Sequence, residues 1–279
     1  MSEAGSASAQ GSGSLTVSRV AIDGMTIAYR RAGVGPPLVL LHGFTQDSRV
    51  WRPQLEGLAD AFTVIAWDAP GAGETDDPPE PYGIDRWADC LARFIDAVGI
   101  ERAAVVGLSW GGLLAQEFHH RHPAKVDSLV LADTYAGWTG SLGRQTANER
   151  LAACIADSTL PPAEFVPRYL PGMFGPSVSS TVREELAAIM AGTHPNGFRL
   201  MARALAEADT RDLLPTIDVP TVLVWGDADI RSPIAIGRDF HRAIRDSKLV
   251  VIRGAGHVSN LERPEVFNDA VRGLLFGGR

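Results

Sequence analysis

A chain of 279 residues is long enough for one large α/β domain, or for a core domain that carries an insertion. With 26 basic against 33 acidic residues its net charge is −7, which argues against nucleic acid, because binding phosphates needs a basic surface. Hydrophobic residues make up 45% and charged residues 21%, and no apolar run is long enough to span a bilayer, so a small-molecule substrate is expected as partner and a membrane is not. The composition leaves self-association into a homo-oligomer open. Cys90 and Cys154 lack metal-type or redox-type spacing and read as reduced residues in helices, which fits a cytoplasmic protein.

Residues 1–14 are nearly all Ser, Gly and Ala, without the apolar stretch of a secretory signal, and read as a disordered tail. Two apolar-rich segments, 15–21 and 25–30, flank Asp23-Gly24, a pair that accepts positive φ and so predicts a hairpin. The continuous apolar run 37–41 predicts a strand buried on both faces, delivering a loop from His42 to Ser48. A helix over 50–59 and a second buried strand over 62–67 follow, the strand ending at Asp68-Ala69-Pro70-Gly71-Ala72-Gly73, whose turn formers rule out regular structure. Trp87, Leu91, Phe94, Ile95 and Val98 have helical spacing within 84–98. A strand over 102–106 leads into a helix from about Trp110 to His120. Further strands are expected over 126–132, 220–225 and 248–252. Strands alternating with helices imply a mostly parallel sheet covered on both faces.

Between Asp133 and about Ile217 no strand is evident. Four helical stretches, roughly 141–157, 162–170, 178–191 and 196–208, are separated by Pro161-Pro162, Pro171-Gly172 and Pro195. The expected organisation is therefore a core domain of residues 15–134 and 216–279, with residues 135–215 inserted as a helical cap over one end of the sheet.

The turn Gly107-Leu108-Ser109-Trp110-Gly111 fits G-x-S-x-G, in which small residues let a strand bend sharply into a helix and hold a serine hydroxyl out of the sheet. Ser109 is the candidate nucleophile. A serine hydroxyl is a weak nucleophile, so it needs a histidine to take its proton and a carboxylate to orient that histidine. Of seven histidines only His257 follows the last predicted strand in a loop, Gly254-Ala255-Gly256-His257, and it is the candidate base. His119, His120 and His122 crowd a helix end, where positive charge suits the helix dipole and no metal is needed. For the acid, Asp229 in Gly226-Asp227-Ala228-Asp229 is favoured, with Asp227 as a turn former and Asp133 as rivals. Backbone N–H groups of Trp110 and Phe44 are the expected oxyanion donors, with His42 bracing the loop. Trp138, Phe165, Tyr169, Met173 and Phe174 are the candidate substrate-lining residues of the cap, each equally plausible as cap core.

Taken together, His42-Gly43-Phe44, Asp68 with Pro70 and Gly71, Gly107 to Gly111, the Gly226 to Asp229 turn and Gly256-His257 resemble the α/β-hydrolase family over residues 18–277. The resemblance implies an eight-stranded sheet with an antiparallel second strand, a helical cap after the sixth strand, and a cofactor-free Ser-His-Asp site beneath it. Within that family, residues 257–264 and the cap length look like 3-oxoadipate enol-lactonases and related esterases. This points to a serine hydrolase that cleaves a small carboxylic ester or lactone. Carbon–carbon bond hydrolases of ring-fission products are also similar, but they commonly carry Asn where this chain has Leu108. Haloperoxidase- or perhydrolase-like members share a serine triad, and a ligand-binding receptor on the same fold is the non-enzymatic alternative.

Overall fold

The computed structural model describes residues 16–276, so the 1–14 tail lies outside the described residues. β1 (Val17–Ile22) and β2 (Met25–Ala32) form the expected antiparallel hairpin, in register from Val17 opposite Arg30 to Ile22 opposite Met25. Its turn residues Asp23 and Gly24 have φ of 53° and 81°, the paired positive values that match a two-residue turn to the twist of the strands. Then come β3 (Pro37–Leu41), a 3₁₀ turn at Ser48–Trp51, α1 (Arg52–Gly57), β4 (Thr63–Trp67), α2 (Ile84–Ala97), β5 (Ala103–Leu108), α3 (Trp110–Arg121) and β6 (Val126–Ala132). Five helices intervene: α4 (Gly137–Leu142), α5 (Arg144–Asp157), α6 (Pro162–Tyr169), α7 (Ser180–Met190) and α8 (Pro195–Glu207). The chain closes with β7 (Thr221–Gly226), α9 (Ile234–Ala243), β8 (Lys248–Ile252), α10 (Ser259–Glu262) and α11 (Pro264–Phe276).

The strands make one eight-stranded sheet in the order β1-β2-β4-β3-β5-β6-β7-β8. β2 runs antiparallel to both of its neighbours, and every pair from β4 across to β8 is parallel. All residues of β4, β5 and β7 are buried. Because successive side chains point to opposite faces, both faces of the central sheet are covered. α2 packs on α3, which lies on β5, and α1 packs on α11, which lies on β7. Trp51, Trp67, Trp87, Trp110 and Trp225 are fully enclosed in this core.

Two elements depart from the sequence reading. The helix expected over 141–157 is broken into α4 and α5 at Gly143, whose φ of 85° a side chain would resist. The helix expected over 50–59 begins as a 3₁₀ turn, because the Asp47 carboxylate accepts from the Arg49 N–H and fixes a tight start. Cys90 on α2 and Cys154 on α5 are buried and unpaired. Among the described residues no helix is long and apolar enough to cross a membrane.

Candidate active site

In a parallel sheet the carboxyl ends of the strands share one edge, so the loops after β3, β5, β6, β7 and β8 converge there. Ser109 follows β5 with φ 54° and ψ −114°, a conformation costly for a residue with a side chain. The surroundings hold it there. Its N–H donates to Ala132 O at 2.9 Å, and its carbonyl accepts from Thr134 Oγ1 and from the Gly112 N–H. Only glycine fits on either side: a Cβ at Gly107 would lie 2.3 Å from Gly111 O, and one at Gly111 would lie 2.1 Å from Leu41 O.

His257 follows β8 and its Nε2 lies 2.9 Å from Ser109 Oγ. Its Nδ1 lies 2.8 Å from Asp229 Oδ2, from the loop after β7. The other Asp229 oxygen accepts from the Arg231 and Ser232 N–H groups, so the carboxylate cannot swing away from the imidazole without losing two hydrogen bonds. The three side chains therefore form one continuous hydrogen-bonded chain. All three are buried, each with 5% or less of its surface exposed.

The two rival aspartates are engaged elsewhere. Asp227 accepts from the Gly254 N–H at 2.6 Å and ties the β7 turn to the β8 turn. Asp133, with φ 46°, accepts from the Gly226 N–H at 2.9 Å and from Ser259 Oγ at 2.6 Å. Burial, and after it the charge of Asp229, push the Asp133 carboxyl well above the usual carboxylate range.

His42 is fully buried. Its Nδ1–H donates to Gly43 O at 2.9 Å and its Nε2 accepts from the Ala69 N–H at 3.0 Å. That pattern needs the neutral ring, and burial lowers its pKa accordingly. In the same loop Gln46 Oε1 takes the Gly43 N–H at 3.0 Å. Among the described residues no acceptor meets the N–H of Phe44 or of Trp110 at the start of α3, so both are free for a ligand oxygen.

A cavity partly open to solvent contains Ser109 and His257 in its wall. Of the aromatic and Met candidates between residues 135 and 215, Trp138, Tyr169 and Met173 line it, as does Phe44. Phe165 and Phe174 do not. Phe165 is buried behind the lining, its ring 5.7 Å from Phe198 and 6.2 Å from Tyr169, and the Phe174 ring lies under the Arg183 guanidinium at 5.0 Å. Sequence reasoning missed Gln46, Tyr135, Arg150 and Arg231 in the wall. Arg231 stands two residues after Asp229 and was open to discovery on that ground; Arg150 lies in a helix that gives no such cue.

Elsewhere, His119 pairs with Asp218 and His122 with Asp89. Among the described residues no group of three or more His, Cys, Asp or Glu is arranged to hold a metal.

Residues 38–270 match a family described as the alpha/beta hydrolase family. The chain is 28% identical over 243 residues to 3-oxoadipate enol-lactonase 2 of Acinetobacter baylyi, covering 86% of this chain and 88% of that protein. It also resembles a solved esterase of Thermogutta terrifontis with malate bound, at a TM-score of 0.86 and 29% identity over 93% of this chain and 98% of that one. The solved enol-lactonase of Burkholderia xenovorans gives a TM-score of 0.83 at 26% identity, over 92% and 99% of the two chains.

Proposed function

The chain belongs to the alpha/beta hydrolase family, and from that premise we propose that it is a serine hydrolase of small carboxylic esters or lactones, working through an acyl-enzyme on Ser109. The observation that carries this reading is the unbroken Ser109–His257–Asp229 hydrogen-bond chain, at 2.9 and 2.8 Å. Similarity to esterases and enol-lactonases supports the ester or lactone bond as target.

In this mechanism Asp229 holds the Nδ1–H of neutral His257, leaving Nε2 to accept the Ser109 proton as Oγ attacks the carbonyl carbon. The carbonyl oxygen becomes an oxyanion between the Phe44 and Trp110 N–H groups. His257 then gives its proton to the leaving alkoxide, and the carbon–oxygen bond breaks. In a lactone the leaving oxygen stays tethered to the acyl group. Water, deprotonated by the same Nε2, attacks the acyl-enzyme, and collapse of the second tetrahedral intermediate returns Ser109 with its proton. No step calls on a cofactor. Residues 135–215 act as the cap, with Trp138, Tyr169 and Met173 limiting the size of the acyl and alcohol groups.

Treatment with a fluorophosphonate tests the reading. A single adduct mapped to Ser109, with parallel loss of turnover on short esters, is expected. An intact, folded protein that takes up no label and turns over no ester would favour a binding role instead.

A further inference from the structure

Two guanidinium groups line the same cavity as Ser109 and His257. Arg150 comes from α5 in the cap, and Arg231 from the loop after β7 in the core. Among the described residues neither makes an ion pair with a carboxylate, although Arg168, Arg199 and Arg203 on the cap all do. The two carboxylates nearby are already engaged: Asp229 holds His257, and Asp157 holds Arg168 and the Tyr169 hydroxyl.

Arg150 is half-buried, its guanidinium 5.6 Å from the centre of the Trp138 ring, with Nη1 3.4 Å from Tyr135 Oη. Stacking of this kind steadies the plane of the group and leaves N–H donors free along its edge. Arg231 Nη2 donates to the carbonyls of Tyr169 and Pro171 in the cap. Its Nε is sealed from solvent and meets no acceptor. Burial lowers the pKa of Arg231, and the positive charge of Arg150 adds to the lowering. Two cations without a carboxylate partner beside one cavity, one of them with a buried N–H that meets no acceptor, leave a place for an anion between them.

We infer that Arg150 and Arg231 form a clamp between cap and core for a substrate carboxylate, so that the ester or lactone attacked by Ser109 carries a second, free carboxylate on a short chain. The inference rests on the hydrolase reading for its reaction, but not for its binding. A planar carboxylate accepts two N–H donors at once, which suits guanidinium groups better than ammonium groups. Since one arginine belongs to each part of the molecule, the bound anion also draws the cap onto the core.

The test compares the p-nitrophenyl monoester of glutaric acid with its neutral counterpart, in which a carboxamide replaces the free acid. The wild type should favour the anionic ester in kcat/KM by roughly 10- to 100-fold. In Arg150→Met that ratio should fall towards one, with Arg150→Lys recovering part of it. Because Arg231 also braces cap carbonyls, Arg150→Met carries the decision. A second arm titrates glutarate into Ser109→Ala, where saturable thermal stabilisation is expected and should disappear in the Ser109→Ala/Arg150→Met double variant. Equal turnover of both esters, or a preference that survives Arg150→Met, overturns the clamp and leaves the hydrolase reading standing. Glutarate binding that depends on Arg150, in an enzyme that hydrolyses neither ester, upholds the clamp and removes the hydrolase reading.

Discussion

The edge of the sheet and the helical segment above it are built on different principles. At the sheet edge each side chain of the Ser109–His257–Asp229 chain is fixed by backbone hydrogen bonds just after a strand: Ser109 through Ala132 O, Asp229 through the Arg231 and Ser232 N–H groups, His257 through its own N–H to Met173 O. Among the described residues, 135–215 are tied to this edge by one such bond, His257 N–H to Met173 O, and are otherwise packed on it through side chains. Their aromatic cluster of Trp138, Phe165, Tyr169 and Phe198 closes around Phe44, with ring centres 4.8 to 6.4 Å from Phe44 for the three that touch it. Backbone geometry of the first kind tolerates few residue types, whereas a packed cluster of the second kind accepts many sets of similar volume. Under the proposed function, reaction type resides in the first region and choice of substrate in the second.

Substitutions can break that division. Ser109→Ala should abolish turnover of every ester, by about a millionfold in kcat, with the melting temperature little changed. Residual activity within a hundredfold of wild type would place the nucleophile elsewhere. Asp229→Asn should cost about 10⁴-fold in kcat through the wrong imidazole tautomer, again on all substrates alike. Asp227→Asn, whose carboxylate only ties two turns, should keep turnover within a few-fold; the opposite ranking in a steady-state assay would reassign the acid.

The same contrast decides what could be read from the sequence. Asp23-Gly24, Gly107 and Gly111 each sit where positive φ or a close backbone approach allows little else, so the hairpin and the serine turn were legible. Asp229 and His257 were legible because each lies in a loop just after a strand and the strands come in a fixed order. Nothing comparable marks Arg150, which reaches the cavity only through the way α5 lies on α8 and against α4. Phe165 and Trp138 look equivalent as sequence. Whether an aromatic residue of an amphipathic cap lines a cavity or backs it depends on how the helices are rotated, and that is set by tertiary packing.

Trp138→Ala sharpens the comparison from the cap side. It should shift the ratio of kcat/KM between a short and a long acyl ester by roughly tenfold, while phosphonate labelling of Ser109 persists. A uniform loss across all acyl lengths would instead make Trp138 part of the chemistry. The smallest effect expected is on stability. Asp133 has its carboxyl raised by burial and by Asp229, so the stability its neutral form supplies is present below the unfolded carboxylate pKa and lost as pH rises through its folded value. Asp133→Asn keeps an acceptor for the Gly226 N–H and turns a donor towards Ser259 Oγ, without that charge. Relative to wild type its melting temperature should therefore improve as pH increases above the carboxylate range, and a constant difference across pH would show that Asp133 is ionised without penalty.

The most direct test of Ser109 acylation is a rapid-quench experiment with p-nitrophenyl acetate. A near-stoichiometric burst of p-nitrophenol is predicted, with an acetyl group on the peptide that contains Ser109 and none in Ser109→Ala. Product release without a burst, or an acetyl group on another residue, would contradict the account.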